Sequence, residues 1–144
     1  MSITVFRDHI EQIWNNGDAS GIERFISPNY VGVDPAEPEV ISGIDGYKQH
    51  FARLTTAFPD LHITIDHIFG VNDQVAARFT VEATHAGDFG PIPPTGRRVR
   101  VTSIAIAKIT RGKLVVEHAH SDALGLLKQL GVIEDPPKVP ALLF

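Results

Sequence analysis

The N-terminal part of the chain carries apolar residues at helical spacing. Apolar side chains recur every three or four residues over 3–14, 19–26 and 44–57, which predicts three amphipathic helices. Asn15-Asn16-Gly17 ends the first helix, and prolines follow the second and third. A short strand at 29–33 and a proline-containing loop are expected between the second and third helices.

From residue 61 onward the apolar spacing changes to every second residue, which is typical of strands. The runs 61–69 and 75–85 predict an antiparallel hairpin that turns at Asn72-Asp73. A long strand at 97–110 and a last strand at 114–120 predict a second hairpin at Arg111-Gly112. A short helix at 123–130 follows. The tail, 132–144, contains three prolines and is expected to be irregular.

Helices followed by antiparallel strands predict an α+β fold, in which three N-terminal helices pack on a strongly curved antiparallel sheet and enclose a conical pocket. The longest strand has one apolar face of small side chains, which we expect to lie toward the helices. Its opposite face carries Ile104 and Ile106 and is expected to contact a second subunit. The residues on the inner face are Val99, Val101, Ser103, Ala105 and Ala107.

Composition narrows the class of protein. The chain has 144 residues, 43% hydrophobic and 21% charged, which predicts one domain, 1–144, of an ordinary globular protein. No apolar run approaches the ~20 residues that span a bilayer, so no membrane contact is expected. The absence of cysteine suits the cytoplasm and excludes disulfides and thiolate chemistry. A net charge of −4 argues against nucleic acid as a partner.

The last strand holds the densest group of ionisable residues. His118 and His120 share one face of the strand, and Asp122 follows at its end, so we expect all three in the pocket. Three interpretations are open. The three residues could ligate a metal. Asp122 could cap the next helix while the histidines pack internally. Alternatively, Asp122 acts as a general acid or base, with His118 or His120 as its partner.

Three motifs carry a family resemblance that extends from about residue 5 to residue 131. They are HAGDFGPIPPTGR at 85–97, FPDLH at 58–62, and GKL at 112–114 with DALGLLKQLG at 122–131. Together these motifs resemble the SnoaL-like polyketide cyclases of the nuclear-transport-factor-2-like superfamily.

The resemblance implies a conical-pocket fold, a homodimer, and an aspartate base for intramolecular aldol ring closure, which falls at Asp122. It implies that no metal or organic cofactor is needed. This sequence departs from the family pattern in two places. The histidine that assists the base in true cyclases falls at Ala105. The Glu-x-Trp of many relatives falls at Val116 and His118.

The resulting hypothesis is a cofactor-independent enzyme that acts on a hydrophobic, carbonyl-containing small molecule. Asp122 would be the base, with His118 and His120 as partners and no metal. An isomerase or hydrolase, or a non-catalytic ligand-binding module, is the alternative. His85 is expected either in the site or as a loop anchor. The predicted substrate-binding residues are Trp14, Tyr30, Phe51, Phe58, Phe79, His85, Phe89 and Ser103.

Overall fold

A computed structural model describes residues 2–135 and contains helices on one face of a six-stranded sheet. The helices are α1 (Ser2–His9), α2 (Ile22–Phe25), α3 (Gly43–Ala57) and α4 (Ala123–Leu130). The strands are β1 (Ile26–Val33), β2 (Ile41–Ser42), β3 (His62–Val71), β4 (Gln74–Thr84), β5 (Arg98–Thr110) and β6 (Lys113–Ser121). Their order in the sheet is β2-β1-β6-β5-β4-β3. The predicted α+β fold with a curved sheet is confirmed.

The first predicted helix comprises two geometries. Helix α1 continues into a π-helical segment, Ile10–Asn15. Its apolar stripe faces the sheet: Phe6 and Ile13 are fully buried and Trp14 is 7% exposed. At the end of β6, helix α4 begins with a side-chain cap and ends at Gly131, whose left-handed backbone suits glycine. Of the predicted tail, 136–144 lie outside the described residues.

The region of the second predicted helix is shorter and more irregular than expected. A single 3-10 turn, Ala19–Gly21, leads into the four-residue α2, and β1 already begins at Ile26. Strand β1 therefore runs through Pro28. Its parallel pairing with β6 is interrupted between Ile26 and Val31, because proline has no N–H to donate to the neighbouring strand. The other neighbouring strands pair antiparallel.

The predicted faces of β5 are confirmed. Ser103, Ala105 and Ala107 are buried toward the helices, whereas Ile104 and Ile106 are 56% and 53% exposed on the outer face. Because β5 pairs with both β4 and β6, it lies in the middle of the sheet. Its inner face therefore forms the floor of the space beneath the helices.

The pairing of β6 with β5 contains a one-residue bulge. Thr110 pairs with Lys113 and Ile109 with Leu114, but Lys108 then pairs with Val116. An extra residue in one strand reverses which side chains face the core beyond it. From Glu117 to the end of β6, odd-numbered residues therefore lie opposite the inward-facing residues of β5.

Gly87 gives the fold a specific steric test. Its N–H and that of Ala86 both donate to the carbonyl oxygen of Ala57, at 3.2 and 2.9 Å, which joins the loop after β4 to the end of α3. A Cβ at Gly87 would collide with the backbone carbonyl oxygen of Thr56.

Gly87→Ala is expected to lower the free energy of unfolding by ~1–3 kcal/mol, since rigid backbone atoms must move. Gly46→Ala, within helix α3, is the matched control. The new Cβ would lie 3.6 Å from Ile41, which is an ordinary van der Waals contact. That change should stabilise the protein by up to ~1 kcal/mol. Urea unfolding of both variants measures the difference, and equal midpoints would contradict the steric argument.

Candidate active site

A cavity of about 330 Å³ lies between the inner face of the sheet, the helices and the loop that follows β1. Most of its wall is apolar or aromatic. The polar residues that line it are His9, Tyr30, Asp34, Glu37, Tyr47, His50, Ser103, Glu117 and Ser121. Neither lysine nor arginine is among the lining residues. An apolar cavity with a few converging polar groups is typical of a small-molecule site.

Glu117 places a carboxyl group on the sheet side of this cavity. The Tyr30 hydroxyl donates to its Oε1 at 2.9 Å. Within residues 2–135 its other oxygen, Oε2, has no hydrogen-bond donor, so it is free to meet a ligand. Burial raises the pKa of Glu117, and the Tyr30 hydrogen bond and the nearby His50 partly oppose that rise. A carboxyl group with a raised pKa is suited to accept and return a proton near neutral pH.

Tyr47 presents a hydroxyl to the same cavity. Trp14 Nε1 donates to the Tyr47 oxygen at 2.9 Å, and the rings of Tyr30 and Tyr47 meet edge to face with centroids 5.2 Å apart. Burial holds the pKa of Tyr47 well above its ordinary value, so the hydroxyl keeps its proton. Because no residue between 2 and 135 accepts that proton, the hydroxyl can donate it to a ligand.

The loop after β1 brings further polar groups to the cavity. Asp34 accepts a hydrogen bond from Ser121 Oγ at 2.7 Å, and the hydroxyl oxygens of Ser121 and Ser103 are 3.1 Å apart. On the same loop, Glu37 lies 3.3 Å from Nδ1 of His50 on helix α3. The loop is thus attached to β6 at one point and to α3 at another.

The structure brings together six of the eight predicted substrate-binding residues. The cavity wall includes Trp14, Tyr30, Phe58, Phe79, Phe89 and Ser103. Phe51 is not a lining residue; it packs behind Trp14 with ring centroids 5.2 Å apart.

His85 is also outside the lining and holds the loop that follows β4. Its Nδ1 accepts from the backbone N–H of Thr95 at 3.2 Å and lies 2.9 Å from the Thr95 hydroxyl. Its backbone N–H donates to Arg97 and its carbonyl accepts from Gly96, both at 2.9 Å. These are the contacts of a loop anchor, the second of the two expectations for His85.

The expected orientation of His118 and His120 needs correction. They share one face of β6, as predicted, but it is the outer face, where His118 lies opposite Ile106 and His120 opposite Ile104. Both histidines are exposed. Without the bulge the strand register would have turned them inward. The bulge instead directs Glu117, Ala119 and Ser121 into the cavity.

Asp122 is exposed and caps helix α4. Its Oδ1 accepts the backbone N–H of Gly125 at 2.9 Å. The neighbouring residues Ser121 and Ala123 line the cavity, but Asp122 does not. The geometry of a metal centre is also lacking: within residues 2–135, no three His, Asp or Glu side chains are grouped to hold an ion.

Sequence reasoning missed Glu117, Tyr47, His50, Glu37 and Asp34 as site residues. Tyr47 and His50 lie three residues apart on α3, a spacing that places both on one helix face and could have signalled them. No local pattern marks Glu117, because its orientation depends on the bulge.

His9 also lines the cavity and is 1% exposed. Its Nδ1–H donates to the Phe6 carbonyl oxygen at 2.6 Å. Burial lowers its pKa from 6.5 to about 4, so the ring is neutral at physiological pH. In the neutral ring Nε2 is then a hydrogen-bond acceptor.

His9 should make stability depend on pH. As the pH falls from about 6.5 to about 4, the unfolded chain binds a proton at His9 that the folded state excludes. The free energy of unfolding therefore falls by up to ~3 kcal/mol over this range. His9→Gln should remove this part of the slope, measured by urea unfolding across that range. His62→Gln, at an exposed position, is the control and should keep it. An unchanged slope in His9→Gln would contradict the burial effect.

The curved sheet with helices over a cavity defines the nuclear-transport-factor-2-like class of folds. The SnoaL-like polyketide cyclase family model matches residues 4–130, and the chain belongs to that family. The expected family is thereby confirmed. No curated protein sequence matches significantly. Within residues 2–135, no helix is both long and apolar enough to cross a membrane.

Solved structures of similar proteins cover almost the whole chain. AclR from Streptomyces galilaeus, a candidate hydroxylase, is 32% identical over 95% of this chain and 85% of its own, with a TM-score of 0.81. TsrD from Streptomyces laurentii is 30% identical, over 92% and 96%, with a TM-score of 0.80. IdmH from Streptomyces antibioticus, a candidate polyketide cyclase, is 26% identical, over 91% and 99%, with a TM-score of 0.79.

Proposed function

We propose that this protein is an enzyme that removes and returns protons beside the carbonyl group of a hydrophobic small molecule. The chemistry is an intramolecular aldol cyclisation or a related isomerisation. The observation that carries the proposal is the Glu117 carboxyl, enclosed in an apolar cavity with one oxygen on Tyr30 and the other open. Membership of the cyclase family supports the same conclusion.

Each proton transfer has an identified partner. The Glu117 carboxylate takes a proton from the carbon next to the carbonyl, and the C–H electron pair moves to the carbonyl oxygen as an enolate. The Tyr47 hydroxyl donates a hydrogen bond to that oxygen, and Trp14 holds Tyr47 in place. The enolate carbon then attacks a second carbonyl of the same molecule, and the alkoxide oxygen formed there takes the proton back from Glu117. In an isomerisation, Glu117 instead returns the proton to another carbon. These steps need only carboxyl and hydroxyl groups.

The apolar wall suits a substrate with an aromatic or alicyclic body. Phe58, Phe79 and Phe89 supply ring surfaces, and aliphatic side chains fill the rest of the wall. Excluding water from this space strengthens the hydrogen bond to an enolate oxygen. The sequence-based hypothesis, with Asp122 as the base and His118 or His120 as its partner, remains a separate prediction that the same experiment tests.

Glu117→Gln should abolish proton abstraction while leaving ligand binding intact, because the amide keeps the shape but cannot accept a proton from carbon. The probe is 2-tetralone, a two-ring ketone whose α-hydrogens exchange in D₂O and are followed by NMR. We expect the enzyme-dependent exchange rate, after subtraction of the rate in buffer alone, to fall ~100-fold or more in the variant. Quenching of Trp14, the one tryptophan of the chain, reports binding.

Asp122→Asn is the matched control. Asparagine is also a preferred N-cap, so the variant should fold normally and exchange 2-tetralone at about the wild-type rate. The reverse pattern, an active Glu117→Gln and an inactive Asp122→Asn, would establish Asp122 as the base instead. Binding without exchange in the wild type would indicate a ligand-binding module.

We also propose that the protein is a homodimer that pairs through the outer face of the sheet. Phe69, Ala76 and Ile106 lie in one row across this face, and Ile104 lies in the next. Phe69 is 58% exposed, and such adjacent apolar side chains on an open sheet are typical of an interface.

Light scattering should therefore give twice the monomer mass for the wild type. Ile106→Glu should give the monomer mass, because a carboxylate would be buried at the interface. Val40→Glu, at an exposed loop position outside the strands, should leave the dimer intact. A monomeric wild type would refute the dimer.

A further inference from the structure

A second ionisable pair, Glu37 and His50, lies beside the cavity. Glu37 Oε1 is 3.3 Å from His50 Nδ1, and Arg53 donates to the other Glu37 oxygen at 3.0 Å. The side chains of His50 and Glu37 are 16% and 21% exposed, so both are largely shielded from solvent. The Glu37 carboxylate favours a proton on Nδ1, which leaves Nε2 as the reactive nitrogen of the ring.

The surroundings of His50 direct its ring toward the cavity. The ring meets Trp14 and Tyr47 edge to face, with centroids 5.7 and 6.3 Å apart, and all three residues line the cavity. Arg53 lies on the solvent side of the pair, and a positive charge on His50 would lower the pKa of Glu117. His50 and Glu117 therefore share one enclosed space, with Tyr47 and Tyr30 between them.

We propose that His50, positioned by Glu37, is a second proton-transfer group of this site and protonates the substrate at an atom other than the one from which Glu117 takes its proton. This inference rests on the proposed function and extends it. It assigns the two proton transfers to two groups rather than one. It also restricts the substrate class to carbonyl compounds that must gain a proton at a second atom, as in double-bond migration or aldol closure.

The step balances without any further reactant. Glu117 removes a proton from the α-carbon and the electron pair moves into the enolate. The imidazolium of His50 gives its Nε2 proton to the γ-carbon of a dienolate, or to the alkoxide oxygen formed in ring closure. The N–H electron pair stays on the ring. Glu117 then releases its proton to solvent, and His50 takes one up from solvent. The substrate has lost one proton and gained one proton overall.

A purely structural role for the pair is the competing explanation, because Glu37 also connects the loop after β1 to α3. Arg53→Ala separates the two roles. It removes the contacts of Arg53 Nη2 with Glu37 Oε2, at 3.0 Å, and with His50 Nδ1, at 3.4 Å, but leaves the contact between Glu37 and His50. If the pair only holds the loop, Arg53→Ala should impair the site about as much as the loss of His50 does.

Cyclohex-3-enone tests the assignment because one intermediate has two fates. Removal of a proton from C2 gives a dienolate. Protonation at C2 in D₂O returns labelled starting ketone, whereas protonation at C4 gives conjugated cyclohex-2-enone, which absorbs in the ultraviolet. We expect His50→Gln to lower isomerisation by ~100-fold while C2 exchange stays within about twofold of wild type. Glu37→Gln should lower isomerisation less, and Arg53→Ala should leave both rates nearly unchanged.

The outcomes separate the two claims. A wild type that neither exchanges nor isomerises this ketone contradicts the proposed function and the inference together. A His50→Gln variant with wild-type isomerisation, or with both rates lowered equally, overturns only the role of His50. A direct check is ¹H–¹⁵N NMR of the His50 ring. The neutral ring should carry its proton on Nδ1 in the wild type and shift toward Nε2–H in Glu37→Gln, and an unchanged tautomer would overturn the role of Glu37.

Discussion

The slip of one residue in the pairing of β5 and β6 determines which side chains of β6 face the cavity. Beyond the slip, Ala107 lies opposite Glu117 and Ser103 opposite Ser121, so a carboxyl and a hydroxyl point inward and two histidines point outward. A regular hairpin would have reversed this pattern along the whole strand. The polar contacts that converge on Glu117 and Ser121 all depend on this one irregularity.

The enclosed carboxyl of Glu117 in turn requires the aromatic residues around it. A carboxyl group removed from water is costly unless it has hydrogen-bond donors. Tyr30 supplies one donor, Tyr47 packs against Tyr30, and Trp14 donates to Tyr47. This row of side chains joins β6 and β1 to α3 and the π-helical segment after α1, so the helices that cover the sheet also hold its central carboxyl in place.

Proteins with similar structures show that the residues lining the cavity, rather than the fold, determine the chemistry. A candidate hydroxylase and a candidate polyketide cyclase share this architecture with similar TM-scores. A shared scaffold therefore leaves the chemistry to the residues of the cavity. Here those residues include three carboxyl groups, Asp34, Glu37 and Glu117, in different surroundings. Burial raises the pKa of Glu117, whereas the hydrogen bond from His50 and the nearby Arg53 lower that of Glu37.

The contrast between Asp122 and Glu117 shows where reasoning from residues reached its limit. The sequence motifs led to the family and to the end of β6, and six of the eight predicted wall residues do surround the cavity. Asp122, however, is a preferred N-cap at the start of a helix, and in the fold its Oδ1 accepts the Gly125 N–H there. Glu117 stands between Val116 and His118 in sequence, and nothing in that pattern marks it as enclosed.

Periodicity alone was sufficient for the α+β class, for three of the four helices, and for the inner and outer faces of β5, because amphipathic spacing directly reflects which side of an element meets the core. The local pattern could not reveal the bulge, because an extra residue in a strand is defined by pairing with a neighbour. Nor could it place His50 beside Glu37, which are 13 residues apart on a helix and a loop. Their proximity, like the inward orientation of Glu117, exists only once the sheet and helices have packed together.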